Sequence, residues 1–189
     1  MRIRMLLGTL LCLLGVATGL LLSGCNTMKI EDFVGQTPKL RLEQYFSGRT
    51  YAWGLFQDRF GKVRRQFQVT IDGHWDGDVL TLDERFLYND GQREQRVWSI
   101  RRPQDDTYTG TAADVIGEAR GHIAGNALNW QYQMQLPVDD KVWHVRFNDW
   151  MWLQPGGVLI NKAKVSKWGF ELGEVTLFFS KQPPLGETP

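Results

Sequence analysis

Leu22-Ser23-Gly24-Cys25 carries the most direct chemistry in this chain: a thiol placed straight after Ser-Gly, at the end of an apolar run, is the group that lipoprotein processing acylates. Arg2 and Arg4, the apolar stretch of residues 5–22 and the small residues before Cys25 follow the order of a secretory signal. Cleavage before Cys25 and its lipidation are therefore expected. The same apolar stretch just reaches spanning length, but a plain transmembrane helix gives no reason for the motif to fall at its C-terminal end. Each buried acyl methylene contributes about 0.8 kcal/mol, and several chains hold durably where one does not. Asn26 stands where an Asp would favour inner-membrane retention, so the periplasmic face of the outer membrane is the expected address.

Glu84 and Arg96 form a second constellation. The turn Asn89-Asp90-Gly91, read as a three-residue loop with Gly91 in the left-handed position, pairs Tyr88 with Gln92, Phe86 with Glu94, Glu84 with Arg96, Leu82 with Trp98 and Leu80 with Ile100. That register matches apolar with apolar and acid with base. A two-residue loop would set Arg85 against Arg96. Two readings follow: a buried ion pair that fixes register, or a polar anchor in a pocket with Arg96 free to bind a ligand carboxylate or phosphate bidentately. The ligand-binding candidates are Glu84, Tyr88, Arg96 and Trp98, with Trp130, Tyr132 and Trp150 from other strands.

Other groups offer less. Gly110, Gly117, Gly121 and Gly125, with Asp114, Glu118 and His122 among them, fit neither a P-loop nor a dinucleotide fingerprint and read as strand bulges or barrel corners. His74, His122 and His144 lack metal-ligand spacing, and Ser47, Ser99, Ser166 and Ser180 lack a nucleophile elbow. An enzymatic reading through Glu84, Asp114 or Asp149 has no geometry visible in the spacing. Trp150 and Trp152 share a face at a strand end, where core packing competes with a membrane-facing or gating patch. The basic run at residues 161–167 is a solvated face or a contact for anionic headgroups.

The elements that position these groups follow from composition and period. Removing residues 1–24 leaves 165, about one domain. Subtracting Arg2 and Arg4 from 22 basic residues leaves 20 against 21 acidic ones, mixed along the chain, which as an overall balance favours neither nucleic acid nor an anionic surface. Cys12 leaves with the signal and Cys25 is taken by lipid, so thiol nucleophiles, thiolate metal sites and disulfides are excluded from the mature domain. No cofactor is implied, and a monomer is expected.

From residue 39 the period is two. Val63 to Trp75 and Leu128 to Leu136 alternate most clearly, and further strands are predicted at 40–46, 49–57, 79–88, 92–101, 107–115, 118–124, 141–152, 158–164 and 173–181. Short strands at regular spacing predict an all-β fold, an antiparallel lipocalin-like barrel of about ten strands over residues 39–181. A lipidated tether over 25–38, with a helical turn at 30–34, precedes it, and a tail over 182–189 follows.

Glu84-Arg85-Phe86-Leu87-Tyr88 with Asp90-Gly91, Arg96-Val97-Trp98, Gly117-Glu118-Ala119, Gly125-Asn126-Ala127 and Phe170-Glu171-Leu172-Gly173-Glu174-Val175, together with the lipid-acceptor motif, give the chain a further identity. It resembles an uncharacterised proteobacterial lipoprotein family, the domain of unknown function 3833, over about residues 30–181. The resemblance implies no activity, cofactor or catalytic residue, and only a leaning toward acyl ligands. The expected function is that of a membrane-anchored periplasmic barrel that binds a lipophilic or amphipathic small molecule. A filled barrel with a structural or interaction role is the alternative.

Overall fold

A computed structural model describes residues 28–138 and 140–184. The lipid-acceptor motif at residues 22–25 and most of the expected tail lie outside the described residues. Ten strands follow one another: β1 (Gly48–Asp58), β2 (Val63–Trp75), β3 (Val79–Tyr88), β4 (Arg93–Gln104), β5 (Thr107–Thr111), β6 (Val115–Ala124), β7 (Ala127–Val138), β8 (Lys141–Leu153), β9 (Leu159–Lys167) and β10 (Phe170–Ser180). Each pairs antiparallel with its sequence neighbours. Pairing of β1 with β10, from Tyr51 with Ser180 to Asp58 with Gly173, closes the meander into a barrel with no free edge. This is the expected fold class.

Alternation sets what faces inward. On β7, Leu128, Trp130, Tyr132, Met134 and Leu136 point into the barrel while Gln131, Gln133 and Gln135 point out. The hairpin of β3 and β4 has the predicted register, Glu84 opposite Arg96 and Leu82 opposite Trp98, and Gly91 holds the turn at φ 85°. A turn at Ala113-Asp114, with the Val115 N–H donating to the Ala112 carbonyl, separates β6 from the shorter β5, and a register break between Ile116 and Arg120 bulges β6 at Gly117-Glu118-Ala119. One continuous strand over 107–115 is therefore not formed.

Residues 40–46 are not a strand. Leu42, Tyr45 and Phe46 lie at helical i, i+3, i+4 spacing, and Leu42–Tyr45 makes a single helical turn, α1, that closes one end of the barrel. Leu40, Leu42, Tyr45 and Phe46 are buried there; the Leu40 N–H donates to the Gly125 carbonyl at 2.9 Å. Glu43 accepts from Arg102 at 2.6 Å and from the Tyr108 hydroxyl at 2.7 Å. Before the plug, a 3₁₀ turn at Ile30–Phe33 matches the expected helical turn, and it packs on the outer wall. All ten strands, the plug and a common core lie within residues 28–184, so this part of the chain is a self-contained folding unit.

Candidate functional site

The interior is layered. Next to the plug, Trp98 and Trp130 meet edge-to-face at 5.8 Å among Ile71, Leu80, Ile100, Leu128 and Leu159. Trp130 owes its seat to two glycines: a Cβ at Gly121 would come within 2.4 Å of the indole, and one at Gly110 within 2.9 Å. The ring is thus core and does not line a cavity. Toward the other end, Met134, Val145 and Val165 gather a second apolar cluster with Phe56, Leu136, Trp143, Phe147, Leu172 and Val175. Tyr132 belongs to both clusters, stacked on Phe147 at 4.9 Å and edge-on to Trp98 at 5.4 Å.

An ionisable group sits around Arg96. Its guanidinium bonds the Asp114 carboxylate, Nε and Nη2 each 2.9 Å from Oδ2, whereas Glu84 Oε2 is 3.9 Å from Nη1. The partner predicted from the hairpin is therefore the more distant one. The Arg96 side chain instead reaches across to Asp114, in the turn just before β6. Arg96 is consequently not free for bidentate capture of a ligand anion. Burial opposes its charge, but the fields of Glu84, Tyr132 and Asp114 outweigh burial and hold it firmly protonated.

Asp149 enters the same interior from β8, opposite Trp130 on one side and Ala163 on the other. Burial raises it to about 8 against the attraction of Arg96. Burial likewise raises Glu84 to about 7, with Arg96 and the Trp98 indole N–H opposing and Asp114 adding to the rise. Tyr132 is held well above its ordinary value, first by burial and then by Asp149. Near neutral pH the cluster therefore holds carboxyl protons that ordinary acids would have lost. Two of its oxygens, Asp114 Oδ1 and Asp149 Oδ1, are buried without a hydrogen-bond partner. Such groups are costly and scarce in folded proteins. Glu84, Asp114 and Asp149, three acids with no spacing in common, converge because β3, the β5–β6 turn and β8 all aim inward at similar height.

Tyr88 stands at the unplugged mouth, its hydroxyl donating to Glu94 at 2.8 Å and its ring under the Arg65 guanidinium at 3.6 Å. Trp150 does not belong with the others. It has the outward parity of β8, stacks on Trp152 at 6.2 Å and is covered by Phe33 at 5.9 Å. The strand-end position predicted proximity to the interior, but the alternation with inward Asp149 and Met151 places it outside. The Gly117 bulge opens a depression of about 330 Å³ on the wall, floored by Tyr132 and rimmed by Glu118, Arg120, Gln131 and Arg146. A larger hollow of about 520 Å³ lies between the plug and the β8–β9 loop, lined by Pro38, Tyr45, Leu153, Gly157 and Lys181. Among the described residues no group of His, Cys, Asp and Glu is arranged to hold a metal ion.

These features define a closed, up-and-down β-barrel with one plugged end and a buried acid cluster. The family profile described as "Protein of unknown function (DUF3833)" matches residues 19–181, and the chain belongs to that family. A search of the curated proteins finds no match.

Proposed function

We propose that the protein is an envelope-tethered binding module, held by acylated Cys25 on the periplasmic side of the outer membrane, whose barrel takes an amphipathic molecule through its unplugged end. The carrying observation is two buried, unpartnered carboxyl oxygens, Asp114 Oδ1 on the acid that Arg96 binds and Asp149 Oδ1 on β8, in an interior built of two apolar clusters. A ligand with hydroxyl or amine donors satisfies them, and its apolar part lies along Phe56, Trp143 and Leu172. A free fatty acid is the poorer fit, since its anion would enter among Glu84, Asp114 and Asp149 while Arg96 is already engaged. The filled Trp98–Trp130 layer favours a second reading, a barrel that is structural throughout its plugged half and takes no ligand.

Native mass spectrometry of the intact chain, extracted in mild detergent, separates the two. A co-purifying lipid-sized mass that is lost in Asp149→Leu, with the barrel still folded, is the expected result. The same unliganded mass for both proteins would favour the structural reading.

A further inference from the structure

The unplugged mouth is ringed by five loops, and three adjacent ones carry bare apolar side chains. Phe60 in the β1–β2 loop is 79% exposed, Trp168 and Phe170 at the β9–β10 turn are 86% and 71% exposed, and Val142 beside the β7–β8 turn is 61% exposed. Neighbouring strand pairs bring them together: Arg59 donates its N–H to the Leu172 carbonyl at 2.9 Å, and Lys167 Nζ lies 3.9 Å from the Trp143 ring. Cations are interleaved with them. Arg59 covers the Phe60 ring at 4.8 Å and Lys167 covers Trp168 at 4.6 Å. Among the described residues Arg59, Lys62 and Lys167 make no salt bridge.

Trp168 carries an independent signal. It is the one non-glycine residue with positive φ among the described residues, at 53°, followed by Gly169 at 84°, with Lys167 paired to Phe170 across the two-residue loop. Positive φ at both central positions is the turn that Asn-Gly forms most readily. A bulky L residue there is strained, and strain of this kind is kept where the side chain has work to do. At this tip the indole makes its only described ring contact with Lys167 and otherwise meets solvent.

We propose that these three loops dock the barrel mouth on an anionic phospholipid surface, with Trp168, Phe170 and Phe60 entering the interface and Arg59, Lys62 and Lys167 meeting the headgroups. Aromatic rings and flanking cations are the composition that seats at that boundary. The apolar collar continues inward through Leu172, Trp143 and Phe56, so a docked mouth opens toward the acid cluster. The proposal stands whether or not the barrel takes a ligand, because it concerns the rim alone.

Residues 28–189, prepared without the segment ahead of them, are mixed with vesicles of phosphatidylglycerol and phosphatidylethanolamine and sedimented. The expected result is binding that weakens with salt, is absent on phosphatidylcholine alone, and falls by about tenfold or more in Trp168→Asn/Phe60→Ser and in Lys62→Glu/Lys167→Glu. Near-UV circular dichroism checks that the variants remain folded, which their exposure makes the expected state. Unchanged binding in both variants, or no binding by the parent, overturns the proposal. A parent that sediments as a dimer in solution, is dissociated by Trp168→Asn/Phe60→Ser and ignores vesicles overturns it as well, and assigns the collar to a second copy of the chain.

Discussion

Among the described residues Arg96 is the one cation in an interior that also contains Glu84, Asp114 and Asp149, so its removal and theirs should differ in size of consequence. Arg96→Met leaves the acids without counter-charge and is expected to cost about 3 kcal/mol or more in urea unfolding at pH 7, the range for breaking one side of a buried pair. Glu84→Gln should cost less than half of that, since Arg96 keeps Asp114 at 2.9 Å and Glu84 sits near its own midpoint. Equal losses would mean that Glu84, and not Asp114, is the effective partner. The same acids predict the pH profile. Folding raises Asp149 from 3.8 to about 8 and Glu84 from 4.5 to about 7, so between those limits the native state binds more protons than the unfolded one. Stability from these groups is full below about pH 4 and is lost as pH rises to about 8. The unfolding free energy from urea melts should therefore fall by several kcal/mol from pH 5 to pH 8.5, and Asp149→Asn should flatten much of the slope. A wild-type profile that rises over this range would remove the buried-acid account.

At the scale of the element, the β9–β10 turn holds a Trp where its backbone suits Asn, which makes one substitution informative in two ways. Trp168→Asn relieves a left-handed L residue and gives up mainly a contact to Lys167, so a rise in stability of about 0.5–1 kcal/mol is expected in thermal melts. A loss instead would show that the indole packs on the barrel. Turn chemistry also explains what could be read in advance. The Asn89-Asp90-Gly91 loop allowed few registers, and only one matched side chains across the hairpin, so β3–β4 pairing was legible to the residue. Residues 40–46 read as a strand because apolar residues at 40, 42 and 46 mimic period two, while the competing helical spacing of Leu42, Tyr45 and Phe46 spans one turn only. The outward position of Trp150 does not show in the sequence because strand parity there depends on Asp149 facing inward, and a lone acid is ordinarily the outward residue of an alternating pair. The meeting of Asp114 and Asp149 with Arg96 was illegible for a different reason. It depends on barrel closure and on the Gly117 bulge, neither of which leaves a mark in local spacing.

For the whole molecule, the two ends of the barrel are unlike, and the difference originates in how the plug is seated. Phe46 turns the chain from α1 into β1 against the backbone of β2, where a Cβ added to Gly73 would fall 1.8 Å from the Phe46 carbonyl oxygen and 3.2 Å from Leu82. No side-chain adjustment relieves a clash with a backbone oxygen, so Gly73→Ala must move either β2 or the plug. The β2 ladder is held on both sides, by β1 from Gly48 to Gln57 and by β3 from Phe67 to Trp75, whereas α1 is one turn long and is fixed by Glu43, Leu40 and its own apolar face. The plug is the part that yields. Gly73→Ala is therefore expected to destabilise the protein by about 1–3 kcal/mol and to raise hydrogen exchange at Tyr45 and Phe46, whose N–H groups donate to Arg41 and Leu42. Far-UV circular dichroism should stay β-dominated, because the ten-stranded ladder does not run through the plug. Fast exchange spreading instead through β1 and β2, with α1 protected, would show that the strand gives way and that the plug is the firmer element.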